Sequence, residues 1–147
     1  MVVEETGSKR EINRKVIYEK DVRKALQDPL SKLSHIRNQL GKISEIRVQH
    51  YAFHPNGGQH ILTISPDIFT VLRISPDWNQ HILTMTNVTS KVCRIEIPLS
   101  EINVNEIQWY DLVSEREWTS ANKKLIITLE PYDVAWLTPF NELGKTI

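Results

Sequence analysis

The sequence predicts an α+β protein with one long N-terminal helix, preceded by a short helix, packed on a C-terminal antiparallel β-sandwich of six to seven strands. Between residues 30 and 50 the apolar residues recur every three or four positions, as in an amphipathic helix. After residue 58 they recur every second position, as in half-buried strands. Tight turns separate these later stretches, which favours antiparallel over parallel pairing.

Two helices are predicted before residue 51. A short one spans residues 18–26 and stops at Asp28-Pro29, because the residue before a proline disfavours helical geometry. Pro29 suits the first position of the long helix, which should end near His50. Its apolar stripe consists of Leu30, Leu33, Ile36, Arg37, Leu40, Ile43, Ile46 and Arg47. Gly41 costs about 1 kcal/mol relative to alanine inside a helix, so we expect close packing against a neighbour there.

The segment His54-Pro55-Asn56-Gly57-Gly58 is a turn signal between the helices and the strands. The predicted strands are residues 59–64, 69–75, 81–88, 92–99, 108–113, 124–130 and 134–138. Short breaks rich in Ser, Pro, Asp and Asn separate most of them, as expected for turns. We therefore expect two domains, residues 1–55 with an arm and the helices, and residues 56–147 with the β-domain.

Composition and charge exclude several classes of function. Eighteen basic residues balance eighteen acidic ones, so no net field draws the chain to nucleic acid or to an anionic membrane. No apolar run approaches the roughly 18 residues of a membrane span, and the absence of a secretion signal predicts a cytoplasmic location. The glycosylation sequence Asn87-Val88-Thr89 is then a chance match. The single cysteine, Cys93, is expected to be buried and inert.

No catalytic pair, metal site or cofactor is predicted. Acidic pairs occur at Glu4-Glu5, Asp21 with Asp28, and Glu115 with Glu117, each in a polar context typical of surface charge. His50 and His54 have the three-residue spacer of a zinc pair, and His60 follows soon after. A zinc site is disfavoured because the spacing fits only a helix, which the following proline and glycines end, and because no further ligand lies close in sequence.

Four tryptophans support a different hypothesis, a platform on which sugar rings stack. Trp136 lies in an apolar run typical of a core, and Trp78 lies in a turn. Trp109 and Trp118 remain as a surface pair. Tryptophan serves large-area packing more often than sugar binding, so the platform is the second choice.

Three parts of the sequence resemble enzymes of glycoside hydrolase family 13, of the sucrose phosphorylase type. Residues 6–14 (TGSKREINR) look like the loop that leaves the last strand of the family's catalytic barrel. Residues 46–55 (IRVQHYAFHP) are similar to its last helix end and the following turn, where Ala52, Phe53 and Pro55 would anchor the crossover to the sheet. Residues 69–73 and 129–137 resemble an early and the closing strand of its C-terminal β-domain. Tyr51 departs from the family, which usually has proline there.

The resemblance implies a non-catalytic, structural C-terminal portion of a larger carbohydrate-active enzyme, so the isolated chain is not expected to be an enzyme. The family's catalytic carboxylates come from barrel strands without a counterpart here, and only Arg14 matches a substrate-binding position, an arginine near the glucosyl subsite. An uncovered helix stripe predicts self-association or a complementary barrel domain as partner. The alternative is an independent carbohydrate-binding module, which would require Trp109 and Trp118 to be exposed side by side.

Overall fold

The computed structural model describes residues 17–144. Helix α1 spans Glu19–Gln27 and helix α2 spans Lys32–Gln49, followed by a 3-10 turn at Tyr51–Phe53. The strands are β1 (Gly58–Ser65), β2 (Ile68–Ile74), β3 (His81–Asn87), β4 (Cys93–Pro98), β5 (Gln108–Asp111), β6 (Glu117–Ala121), β7 (Lys124–Leu129) and β8 (Val134–Pro139). Helix α3 (Leu99–Ile102) follows β4, and a second 3-10 turn spans Phe140–Glu142. All strand pairs are antiparallel, so the predicted α+β class is confirmed.

The chain divides into two compact units, residues 1–41 and 42–147, with the boundary inside α2. In the first unit, side chains satisfy backbone donors between the two helices. Asp28 Oδ1 accepts a hydrogen bond from the N–H of Leu30 at 2.9 Å, and Ser31 Oγ accepts one from the N–H of Ser34 at 3.0 Å. Ser31 is therefore the N-cap of α2, and the helix begins at Lys32 rather than at Pro29.

The apolar stripe of α2 is largely exposed in its N-terminal half. The exposed fractions of Leu33, Ile36 and Leu40 are 38%, 54% and 59%. A Cβ built on Gly41 meets no atom of the described chain within 4 Å, so the close packing expected at this glycine is not found. Packing of the stripe against a partner stays a prediction. Within residues 17–144, no helix combines the length and apolar character needed to cross a membrane.

The second unit is built on one sheet with the strand order β1-β2-β3-β8-β5-β6-β7-β4. All eight strands contribute side chains to one core, and the terminal strands β1 and β4 contact each other. The sheet is therefore nearly a closed barrel, and the predicted sandwich of six to seven strands does not match it. The difference arises at β6, the strand absent from the prediction, because β6 joins the β7-β4 pair to the other five strands.

Strand β6 is short and returns to β7 through a tight turn. The two turn residues, Asn122 and Lys123, have φ values of 52° and 60°, the left-handed geometry of a type I′ hairpin. The letters of β6, EWTSA, contain one large apolar residue and do not alternate. The alternation of apolar and polar residues that predicts a strand is therefore absent from this segment.

Two apolar cores lie on opposite faces of the sheet. The inner one contains Leu72, Leu83, Ile97, Trp109 and Leu137 among other buried residues. The outer one is smaller and consists of Ile46, Ala52, Phe53, Ile82 and Leu112. Burial of Ala52 and Phe53 agrees with their expected role as anchors of the crossover from helix to sheet, whereas Pro55 is exposed.

Buried polar groups complete the sheet at the end of β3. Asn87 is 0% exposed, and its Nδ2 donates to the carbonyl oxygens of Lys91 at 2.7 Å, Glu130 at 2.9 Å and Leu129 at 3.4 Å. Its Oδ1 accepts a hydrogen bond from the N–H of Thr89 at 2.9 Å. One side chain therefore joins the β3-β4 loop to the end of β7.

Candidate functional site

A groove of about 310 Å³ lies on the outer face of the sheet beside the C-terminal end of α2. Side chains of β2 line it at alternate positions, because Ile68 and Leu72 point into the inner core while Phe69, Val71 and Arg73 point outward. We call it the outer groove. Its lining residues are Arg47, Phe53, Gln59, Phe69, Val71, Arg73, Thr84, Thr86 and Trp136.

Strand register brings the outer groove's residues together across three strands. Val71 of β2 lies opposite Thr84 of β3, which in turn lies opposite Trp136 of β8. The rings of Trp136 and Phe53 are in contact, with centroids 4.7 Å apart. Phe69 is 55% exposed. The floor of the groove therefore combines aromatic rings and Val71 with the threonine side chains of β3.

Arg73 fixes the crossover turn to the sheet. Its Nε donates to the carbonyl oxygen of Ala52 and its Nη2 to that of His54, both at 3.3 Å, and its Nη1 donates to Gln59 Oε1. All three acceptors are neutral oxygens. Arg73 therefore satisfies much of its hydrogen-bonding capacity, while no carboxylate of residues 17–144 forms an ion pair with it.

Arg47 adds a second positive charge to the same groove. It is exposed, and within residues 17–144 no carboxylate oxygen lies within 4.0 Å of a nitrogen of Arg47 or Arg73. Burial, and secondly the charge of Arg47, lower the pKa of the Arg73 guanidinium. The sequence patterns did not predict this pair, because a helix position and a strand position meet only through the fold.

Trp109 and Trp118, the proposed sugar platform, lie directly opposite each other on β5 and β6. Trp109 is only 1% exposed, belongs to the inner core and donates from Nε1 to the carbonyl oxygen of Glu106 at 3.1 Å. Trp118 is half-buried, with the Arg116 guanidinium 5.5 Å from its ring centroid. A sugar platform needs both tryptophans exposed side by side, and Trp109 is buried. The carbohydrate-binding-module alternative is therefore not supported.

The acidic candidates do not converge on a site among the described residues. Arg14 and the Glu4-Glu5 pair lie outside the residues that the structure describes. Glu115 is exposed and accepts a hydrogen bond from Lys42 Nζ at 2.6 Å; this bond and the charge of Lys42 lower the pKa of Glu115. Glu117 is also exposed. Glu115 and Glu117 are therefore surface groups.

His50 lies in a buried, hydrogen-bonded environment. The backbone N–H of Ala52 donates to Gln80 Oε1 at 2.9 Å, which orients the Gln80 amide so that its Nε2 donates to His50 Nδ1 at 3.0 Å. Burial lowers the pKa of His50. Within residues 17–144, no group of three or more His, Cys, Asp or Glu side chains could hold a metal ion. Cys93 is half-buried, not fully buried as expected.

Comparison with known proteins identifies relatives over nearly the whole chain. The chain is 31% identical over 150 residues to the glucosylglycerate phosphorylase of Spirochaeta thermophila, a match that covers 97% of this chain and 25% of the relative. It is 27% identical to the enzyme of the same name from Escherichia coli, over 92% of this chain and 22% of that protein. The resemblance to family 13 phosphorylases is confirmed.

These phosphorylases are much longer than the present chain, which spans about a quarter of the length of the relatives it matches. The matched part is C-terminal in them. No family model matches the chain. Solved structures with the same fold include α-amylases from Anoxybacillus, at TM-score 0.56 and 16% identity over 69% of this chain and 22% of that one, and from H. orenii, at 0.53 and 19% over 80% and 22%.

Proposed function

We propose that this chain is the non-catalytic C-terminal portion of a sucrose-phosphorylase-like enzyme, and that it acts on glucosylglycerate only as part of a complete enzyme. The single observation that supports this is the asymmetry of the match, 97% of the chain against 25% of the Spirochaeta relative. Family 13 chemistry uses a pair of carboxyl groups held close together. The carboxylates described above are instead scattered on the surface.

The proposed role is packing and stability. Leu33, Ile36 and Leu40 form a bare apolar row on α2, and such a row is usually covered by another element. We propose that a barrel domain covers it in the complete enzyme, and that isolated chains associate through it in the absence of that domain. In the complete enzyme Arg14 would lie near the glucosyl subsite. We also propose that the functional division of the chain lies at residue 55, between the helical segment and the β-domain. A cytoplasmic location is part of the same proposal.

A chimera tests the proposal directly. The matched C-terminal segment of the Spirochaeta phosphorylase would be replaced by this chain, and consumption of phosphate with glucosylglycerate would be measured. A structural replacement should retain activity well above that of the enzyme without its segment. An unrelated β-domain of similar length is the matched control. A chimera as inactive as that control would overturn the proposal.

Isothermal titration of the isolated chain complements the chimera. We expect no heat of binding with glucose, sucrose, a maltooligosaccharide or glucosylglycerate, and a mass in solution above that of a monomer. Replacing Leu33, Ile36 and Leu40 with glutamine should restore a monomer because it removes the apolar row. Sugar binding by a monomeric wild-type chain would contradict the structural role.

A further inference from the structure

We propose that the outer groove is a docking surface for a polypeptide segment that presents a carboxylate beside apolar side chains. This inference rests on the proposed function, because it assigns the segment to the remainder of the complete enzyme. The surface is distinct from the apolar row on α2, which lies in residues 1–41. It also belongs to no sugar or phosphate site described above.

Charge is the first reason. Arg47 and Arg73 both line the outer groove. In the part of the chain that the structure describes, none of the nine lining residues is acidic, and the three hydrogen-bond acceptors of Arg73 are neutral oxygens. Two guanidinium groups that repel each other gain energy from an anion placed between them. A carboxylate also matches the forked donors of arginine better than a single acceptor does.

The apolar side chains of the floor are the second reason. Phe69 is more than half exposed, Trp136 is half-buried, and the largely buried Phe53 and Val71 line the same groove. A small anion would leave this surface in water, whereas a peptide segment with an aliphatic or aromatic side chain next to its carboxylate would cover it. Interfaces of this kind bury aromatic and arginine side chains together at their centres.

A second copy of the chain fits this groove poorly. In a two-fold symmetric dimer the same patch lies on both subunits, so a dimer through the outer groove would bring four guanidinium groups into one interface whose described lining residues include no carboxylate. Like charges across an interface cost affinity. The preferred occupant is therefore a different, acidic segment.

The test compares the isolated chain with the Spirochaeta chimera. Arg47→Glu and Phe69→Gln alter exposed side chains, so in the isolated chain each should shift the unfolding midpoint by less than about 2 °C. In the chimera each should lower the midpoint of thermal inactivation by about 5 °C or more, since both then disrupt a buried contact. The effect of Arg47→Glu should shrink in 1 M salt as screening increases.

Arg94→Glu is the matched control, because Arg94 is an exposed arginine on β4 outside the groove. An active wild-type chimera in which Arg47→Glu, Phe69→Gln and Arg94→Glu behave alike would overturn the docking surface and leave the proposed function intact. An inactive wild-type chimera would count against the proposed function itself. A dimer of the isolated chain that Arg47→Glu dissociates would assign the groove to a second copy and overturn the inference.

Discussion

Asn87 illustrates how one residue supports this fold. Its Nδ2 faces three carbonyl oxygens, so Asn87→Asp places a carboxylate oxygen against three acceptors in a fully buried site. We expect the free energy of unfolding to fall by about 3 kcal/mol or more, the cost of a buried and unpaired charge. Urea denaturation measures this directly. Asn105→Asp, at an exposed position, is the control, and equal effects at the two positions would refute the role of Asn87.

Thr138 is the opposite case, because its buried hydroxyl makes no hydrogen bond with the described residues. It is 0% exposed, and its Oγ1 has no hydrogen-bond partner among the described residues. Thr138→Val removes the hydroxyl at nearly constant volume, so we expect the free energy of unfolding to rise by about 1 kcal/mol. Thr70→Val is the matched control, because the equally buried Thr70 Oγ1 donates to the carbonyl oxygen of Ile68 at 3.4 Å. A larger gain at Thr70 than at Thr138 would contradict this reading.

At the scale of elements, the crossover from α2 to β1 depends on a close backbone approach. A Cβ on Gly57 would lie 2.5 Å from the carbonyl oxygen of Ile74, a distance that real Cβ atoms essentially never show. Gly57→Ala should therefore displace β1 from β2 and cost about 2 kcal/mol, as other overpacked sites do. The midpoint of chemical denaturation measures this cost.

The neighbouring glycine supplies the control. A Cβ on Gly58 would come no closer than 3.4 Å to the side chain of Ile74, an ordinary contact. Gly58→Ala should therefore lower stability much less than Gly57→Ala. Two equal losses would show that glycine flexibility, rather than contact with Ile74, determines the crossover.

Most elements follow from local sequence, but their assembly does not. Predicted and observed strands agree closely from β1 to β4 because alternation such as Cys93, Ile95 and Ile97 is a strong local signal. β6 has no such signal. Without β6, the β7-β4 pair is separated from the other five strands, so the prediction contains two sheets instead of one. Hairpin register, which no single strand encodes, also decides that Trp109 faces the core.

The outer groove was harder to predict than the strands. Its outward row Phe69, Val71 and Arg73 could have been found from the period of β2 alone. Arg47 could not, since it lies 26 positions before Arg73 in the sequence and only the return of the chain after α2 brings the two charges together. Sites built from distant elements require the fold before they can be recognised.

We expect the stability of the whole protein to depend on pH through the titration of His50. Burial lowers its folded pKa below the ordinary value of 6.5, so between the two pKa values the unfolded chain binds more protons than the folded chain. The free energy of unfolding should therefore fall as pH decreases below about 6.5. Protonation of Nδ1 would also remove the acceptor of the Gln80 amide. Urea midpoints at pH 7.5 and 5.5 measure the effect.

Two substitutions isolate the contribution of His50. His50→Gln should reduce the difference between the two midpoints, whatever its effect on stability at neutral pH. His60→Gln, at an exposed histidine, should leave the difference unchanged. An unaltered difference in His50→Gln would assign the pH dependence to other groups.

The buried amide of Asn87 also restricts how the protein can be produced. Asn87-Val88-Thr89 is an acceptor sequence for N-linked glycans, which are added in the eukaryotic secretory pathway while a chain is still unfolded. A glycan on Nδ2 would occupy the space where the carbonyl groups of Lys91, Leu129 and Glu130 converge. Material exported by that route and glycosylated at Asn87 could not close the connection from β3 to β4, whereas bacterial expression leaves the amide unmodified and the sheet able to form.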